Sequence, residues 1–397
     1  MDEHVIRTYV RPEDVFVDGQ GAILRDRDGR EWVDFLGGIA VSALGHAHPR
    51  LVAELRDQVG KLIHVSNLFR HPYTEDVATR VAKLAGLEAV FFTNSGTEAN
   101  EAALKIARKY QRNAGRPQRS GFVALEGSFH GRTMGALSIT HTPKYRAPFE
   151  PLIPGVTFVP AGDIAALERA VHETQPAAVV YEPIQGESGV RALSDDYLRA
   201  ARALCTSTDT VLIHDEVQCG SGRTGTFLGG DHAGVKPDVA TLAKPIAAGL
   251  PMGMMIVATK LATTFAPGDH GSTFAGGPLV CRGALVFLDE LENGLLAAVA
   301  ARGAHLHAGL HRLAAEFPLV TEVRGRGLMA GLRVSRDAAA IQQQLYRAGL
   351  ITNVAGGDVI RILPAFVITD AQIDRGLAIL RDVLAAQSRL EGAEHTR

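Results

Sequence analysis

Cysteine is scarce and unpatterned in this sequence. The chain of 397 residues holds three, Cys205, Cys219 and Cys281, with no CxxC spacing among them. That excludes a disulfide framework and a zinc ribbon and makes a reducing cytoplasm the simplest compartment. No run of uncharged apolar residues reaches the roughly 18 that a membrane-spanning helix needs, so no membrane contact is expected. The opening stretch, MDEHVIRTYVRPEDV, has two early acids and no apolar core, which is not the pattern of a secretory signal. Neither sign of charge dominates: 41 Lys and Arg face 43 Asp and Glu, for a formal net charge of -2. Nothing in that balance points to nucleic acid or to an anionic membrane. Internal repeats and low-complexity segments are missing too. His46 and His48 are spaced HxH without further ligands, so no metal site is expected from them.

Glycine, by contrast, is plentiful. The 42 glycines gather in loops, as expected where backbone approaches a ligand closely. A hydrophobic content of 46% and a charged content of 21% are ordinary for a soluble globular protein, and the length favours two domains over one.

Val15 to Asp34 alternates apolar and polar residues around Asp18-Gly19 and Asp28-Gly29, which predicts a small antiparallel meander. Leu36 to Pro49 reads as a glycine-rich loop. Helices follow from Pro49 and after Tyr73, the second ending at Gly86. The pattern then becomes strand, loop, helix. Strands are expected at Ala89 to Thr93, Phe122 to Leu125, Ala177 to Tyr181, Thr210 to Ile213, Val239 to Leu242 and Met254 to Ala258. Helices are expected at Thr97 to Tyr110, Ile164 to Thr174 and Asp195 to Cys205. This alternation predicts an α/β fold with a mostly parallel sheet covered on both faces. On such sheets ligands sit beyond the carboxyl ends of the strands, where Asn94-Ser95, Glu182 and Asp215 fall. Further on, a helix is expected from after Phe274 toward Leu291 and another from Leu296 to Phe317. Short strands and helices then alternate to a last helix, Asp370 to Ala385, opened by a capping box of Thr369 and Gln372. The polar tail from Gln387 to Arg397 is expected to fray. Residues 1–60 are read as a segment packing on a small domain, 61–290 as the large domain, and 291–397 as the small domain.

The chemistry concentrates between Leu212 and Gly253. An apolar strand there ends in Asp215 and Glu216, and Lys244 follows among small residues. A lysine amine can form a Schiff base with an aldehyde cofactor, and a buried carboxylate can keep a pyridine nitrogen protonated. Those are the two groups that pyridoxal 5'-phosphate (PLP) requires of a protein. Asn94 to Asn100 (NSGTEAN) joins a strand to a helix, so Ser95, Gly96 and Thr97 can cradle a phosphate or simply cap the helix. In the stretch SFHGRT, Phe129 can stack on a ring and Arg132 can clamp a carboxylate; taken out of context, a core Phe and a solvated Arg are the commoner reading. Glu182 and Glu187, in EPIQGE, can orient a base, gate an arginine or belong to a solvated turn. Arg361 stands alone in the apolar run VIRILP, needing a partner unless strand alternation turns it to solvent. Arg223-Thr224-Gly225 and Gly249-Leu250-Pro251 read as turns without a catalytic group.

Taken together these motifs resemble the class III (ornithine-type) aminotransferases, fold type I PLP enzymes. The resemblance runs nearly full length, through NSGTEANEAALKIAR, FHGRTMGALSIT, PKYRAPFEPLIPG, EPIQGESGV, DEVQCGSGRTG, TLAK, HGSTFAGGPLVC, RGRGLMAG and VIRILP. It implies a large domain with a mostly parallel, seven-stranded-type sheet and a smaller α/β domain built from the N- and C-terminal segments. Residue by residue, Lys244 matches the Schiff-base lysine and Asp215 the partner of the ring nitrogen. Gln218, with Val217 beside it, matches the contact to the phenolic oxygen. Ser95, Gly96 and Thr97 match the phosphate loop, Phe129 the stacking ring, and Arg132 the arginine that binds a carboxylate of the donor. Ser272 and Thr273 match a pair that crosses a homodimer interface, the threonine to the other subunit's phosphate. Glu187 resembles a gating glutamate that pairs with Arg361 in one half-reaction and frees it for a glutamate carboxylate in the other.

The implied reaction moves the δ-amino group of N-acetylornithine to 2-oxoglutarate, giving glutamate, as in arginine biosynthesis. Alternatives are the same chemistry on succinyldiaminopimelate, acylated or carrier-linked lysine, or ornithine, and more remotely a non-catalytic regulatory protein on this fold. Departures bear on the substrate. Pro245 follows Lys244 where small residues are usual, FAGGPL replaces FGGNPL, QGESG replaces QGEGG, and Arg70 stands where an aromatic residue is common.

Overall fold

A computed structural model describes residues 4–394 of the chain. The expected meander forms as β1 (Phe16–Gln20), β2 (Ile23–Asp26) and β3 (Glu31–Asp34). Its last strand takes a parallel partner from far along the chain, Leu350–Ile351. The meander is thereby stitched to the C-terminal third. Phe35, fully buried, continues that seam: a Cβ placed on Gly376 of the last helix would fall on its ring.

Leu36 to Pro49 is not simply a loop. Gly37, Gly38, Ile39 and Ala40 carry φ values of 55, 63, 63 and 64°, four successive left-handed residues. Such backbone costs roughly 1–2 kcal/mol for each residue with a Cβ, and Ile39 is β-branched as well. His46 and His48 find local work: His46 Nε2 meets Asp34 at 2.9 Å, and His48 Nδ1 accepts from Leu51 N to cap helix Pro49–Val59.

The central sheet has seven strands. They are β4 (Ala89–Thr93), β5 (Phe122–Leu125), β6 (Val156–Val159), β7 (Ala178–Tyr181), β8 (Val211–Asp215), β9 (Val239–Leu242) and β10 (Gly253–Val257). In space the order is β4, β10, β9, β8, β7, β5, β6. β10 runs antiparallel to both neighbours and the remaining pairs are parallel. Strand β6 escaped the periodicity argument because Val156–Val159 is four residues long and half-buried in its first three. The parallel strands β5, β7, β8 and β9 are buried at every position, which explains their unbroken apolar runs.

Beyond the sheet, helix Pro278–Glu290 does not stop at Leu291. It passes through a wide turn, Leu291–Leu295, with Gly294 at φ 108°, into helix Leu296–Glu316. Strands Val320–Arg326, Met329–Val334, Val359–Ile362 and Asn353–Ala355 form a second antiparallel sheet. The capping box of the last helix is present, Thr369 N to Gln372 Oε1 at 3.0 Å and Gln372 N to Thr369 Oγ1 at 3.2 Å. That helix runs Asp370–Glu394, past Gln387 where the polar tail begins; residues 395–397 lie outside the described residues. No described helix is long and apolar enough to cross a membrane.

The seam between Gly376 and Phe35 generates a stability prediction. Gly376→Val should overpack it at a cost of roughly 1–3 kcal/mol, read as a lower melting temperature by calorimetry, with the native circular dichroism retained at low temperature.

Candidate active site

Strand order brings the chain's chemistry to one edge. The carboxyl ends of β4, β5, β7, β8 and β9 deliver Ser95, Phe129, Glu182, Asp215 and Lys244 around a cavity of about 480 Å³. Gly96, Thr97, Arg132, Val217 and Gln218 line it as well, so most of the residues expected from sequence meet in one place. Val41, His130, Met252 and the run Gly249-Leu250-Pro251 complete the walls. Val41 follows directly on the left-handed turn.

Asp215 is 3% exposed and fully engaged. Its Oδ2 accepts from Asn100 Nδ2 at 2.8 Å and lies 2.7 Å from His130 Nδ1; its Oδ1 accepts from Val217 N at 3.0 Å and Thr241 Oγ1 at 3.4 Å. Asn100 is held in turn, donating to His130 O at 2.7 Å and accepting from Thr241 Oγ1 at 2.9 Å. A buried charge survives only when paired and hydrogen-bonded in this way. Sequence reasoning missed Asn100, His130 and Thr241. Asn100 ends the NSGTEAN motif and His130 sits inside FHGR, so both lay within quoted stretches without being assigned a task.

Lys244 opens the short turn Lys244–Ala247 with φ 50°, followed by Pro245. The departure at Pro245 thus coincides with left-handed backbone at the lysine itself. The lysine is partly buried, one side facing the cavity, and its amine makes no hydrogen bond to a described residue. Burial pushes the ammonium pKa down, and the charge of Asp215 opposes that only in part. A lysine so placed is readier to act as a neutral nucleophile or base. Glu182 shows the same force on an acid: burial raises its pKa to about 7, against the pull of His130 and of N–H donors at Phe129 and Gly186, both at 3.0 Å.

The helix Gly96–Asn113 points its N-terminus at the cavity. Ser95 caps it, accepting from Glu98 N at 3.3 Å. The N–H groups of Gly96 and Thr97, first in the helix, have no carbonyl one turn back to bond and are free for an anion. Capping and anion binding are therefore compatible here. Gly96 is required for a reason the sequence hid: a Cβ there would come within 2.7 Å of Val217 Cγ1.

Four expected residues do not line this cavity. Arg361, 1% exposed, pairs with Glu187 at 2.5 Å and contacts Asn353, Gly186 and Gln218 at 3.1–3.2 Å. It is not turned to solvent, and Gln218 links it to the cavity wall. Ser272 and Thr273 border a neighbouring cavity of about 610 Å³, where Asn94 Nδ2 donates to Ser272 Oγ at 2.9 Å. Arg70 is exposed and outside the Lys244 cavity.

Arg223-Thr224-Gly225 forms the expected turn, and its arginine has a structural task. Fully buried, Arg223 donates from Nη1 to the carbonyls of Leu328 at 3.0 Å and Pro364 at 2.5 Å and lies over Phe366. It ties the loop after Asp215 to the strand end that carries Arg361.

The buried acid at the end of a parallel strand, the lysine facing it and the open helix terminus define a fold type I aminotransferase site. The sequence profile of the class-III aminotransferases matches residues 8–384, and the chain belongs to that family. It is 42% identical over 382 residues to the acetylornithine aminotransferase of Aquifex aeolicus, covering 96% of this chain and 100% of that one. The N-acetylornithine aminotransferase of Stenotrophomonas maltophilia superposes with a TM-score of 0.84 at 38% identity, over 96% of this chain and 98% of that one. The ornithine aminotransferase of Toxoplasma gondii reaches 0.93 at 33% identity, over 97% and 93%.

Loss of the bond from His130 to Asp215 tests the geometry. A hydrogen bond to a charged group contributes about 1.5–3 kcal/mol, so His130→Phe should lower transaminase turnover by roughly 10- to 100-fold while circular dichroism stays unchanged.

Proposed function

We propose that the protein binds PLP in the Lys244 cavity and transfers the δ-amino group of N-acetylornithine to 2-oxoglutarate, alternating between the two substrates. The carrying observation is the placement of Lys244, Asp215 and an open helix N-terminus around one cavity. Bound there, the cofactor supplies an aldehyde that takes up the amino group and a ring that withdraws electrons from the substrate carbon. The donor set suits it. The N–H groups of Gly96 and Thr97, with the Thr97 hydroxyl, answer a phosphate. Asp215 answers a protonated ring nitrogen, Phe129 and Val217 the ring faces, and Gln218 the phenolic oxygen.

Lys244 Nζ would hold the cofactor and, when displaced from it, would serve as general base toward the proton on the substrate carbon; its lowered pKa supports that task. Arg132 holds the donor's carboxylate. Arg361 takes a carboxylate of 2-oxoglutarate when Glu187 releases it, and pairs with Glu187 otherwise. The acetylornithine names of relatives more than 40% identical favour this donor. Free ornithine is the second reading, favoured by the backbone likeness to an ornithine aminotransferase. Ser272 and Thr273, set apart from their own chain's Lys244 cavity, support a homodimer in which Thr273 completes the partner's phosphate site. We infer the same division of the fold: residues 61–290 as the cofactor domain and 291–397 as a small domain on which 1–60 packs. Three free, buried cysteines suit a reducing cytoplasm.

Purified protein with PLP should show ping-pong kinetics on N-acetylornithine and 2-oxoglutarate. Fast turnover of ornithine or succinyldiaminopimelate, beside none of acetylornithine, would overturn the donor. Lys244→Ala should abolish turnover together with the lysine-dependent visible absorbance of the bound cofactor; survival of both would overturn the cofactor assignment.

A further inference from the structure

Arg132 differs from the other arginine of the site in how it is held. Its guanidinium carbon lies 3.6 Å from the ring centroid of Tyr145 and 5.4 Å from that of Phe129. The two rings stand at 85° with centroids 6.3 Å apart, forming a corner around the cation. Arg132 makes no hydrogen bond or ion pair with a described residue. Its five N–H donors, which lie in the guanidinium plane, are therefore unspent. Arg361, by contrast, is held by spending its donors on Glu187, Gln218, Asn353 and Gly186.

We propose that Tyr145 is a positioning residue for Arg132: its ring fixes the plane of the guanidinium from the face, leaving the edge free to clamp the donor's carboxylate through two parallel bonds. The inference rests on the reading of Arg132 given above and names the substrate class it selects, ω-amines that carry a carboxylate remote from the transferred nitrogen. An exposed arginine otherwise samples many rotamers, and ordering it on binding costs side-chain entropy. Stacking restrains the group in advance without competing for the donors that the ligand needs. Phe129 reaches the same cation but lines the cofactor cavity, so the closer ring, Tyr145, is the one whose face serves Arg132.

The local chain explains why Tyr145 sits there. Pro143 starts the short turn Pro143–Arg146, closed by Tyr145 N to Thr142 O at 3.0 Å. The neighbouring Arg146 lies over Phe158 of β6 at 4.8 Å, fastening the turn to the sheet. The Tyr145 hydroxyl has no hydrogen-bond partner among the described residues. The face of the ring, and not its oxygen, is what the arrangement uses.

The test compares N-acetylornithine with N-acetylputrescine, the same amine without the carboxylate. Tyr145→Leu should raise KM for N-acetylornithine by about 3- to 30-fold, with kcat, KM for 2-oxoglutarate and turnover of N-acetylputrescine little changed. Tyr145→Phe should keep the wild-type KM, and in an Arg132→Met background Tyr145→Leu should add nothing. Equal losses on both donors would make Tyr145 merely structural and overturn the proposal. An insensitive Tyr145 beside a sensitive Arg132 would overturn it alone, whereas an Arg132→Met enzyme with unchanged KM would overturn the reading of Arg132 and the proposal with it. Should another carboxylated amine be the better donor, that amine and its decarboxylated analogue replace the pair.

Discussion

The site depends on holding one carboxylate, almost wholly buried, in a full set of hydrogen bonds. Asp215 ends β8 at 3% exposure, and isolating a carboxylate there would cost far more than folding can spare. Its partners come from separate parts of the chain: Asn100 from the helix after β4, His130 from the loop after β5, Thr241 from β9. Satisfying Asp215 therefore sets the register of several strand ends at once. The remaining orphan, His130 Nε2, is buried without a partner, so the imidazole has one firm bond, and that bond is to Asp215. Gln218 and Val217, the next residues of the same chain segment, inherit their positions from this anchor.

Facing it, Lys244 is presented on backbone that an L-residue rarely adopts. Lys244 and Ala248 both have φ near 50°, and the left-handed turn Gly37–Ala40 approaches from the other side. Strained residues persist only where packing over-determines them. Here Ala243, Ile246, Ala247 and Ala248 are all buried, and Val217 and Ala243 close against Gly96. Small side chains around the lysine thus serve packing between loops, and the cofactor reading does not need them for clearance alone.

Where local pattern and tertiary demand coincide, the fold was legible in the sequence. The parallel strands read as apolar runs because both faces are covered, and Asp215 stood out as a charge ending such a run. Lys244 stood out among alanines for the same reason. Asn100 and His130 were hidden because a polar residue inside a helix or a loop looks alike whether it faces solvent or a buried acid. Arg223 was hidden because its turn-like neighbours suggest exposure, while its true partners, the carbonyls of Leu328 and Pro364, lie more than a hundred residues away. The pairing of β3 with Leu350–Ile351 is equally long-range, and a two-residue strand carries no period to detect. Ser272 and Thr273 were named only through resemblance, since nothing in their local pattern sets them apart.

The two arginines proposed to bind carboxylates are restrained differently, each according to its surroundings. Arg361 is buried in the second sheet, where its charge is met by the carboxylate of the partly exposed Glu187. On the proposed reading such a pair would act as a switch, because an arriving carboxylate would replace that of Glu187 at little net change in charge. Arg132 borders solvent, where an unpaired cation is cheap and disorder is the difficulty. Aromatic faces answer disorder without adding a competing anion. Exchanging the two restraints would fail at both sites: a ring stack alone would leave Arg361 desolvated, and a resident carboxylate on Arg132 would occupy the donors that a substrate has to reach. Burial thus separates the two restraints: a counter-charge where Arg361 is enclosed, ring faces where Arg132 is open to solvent.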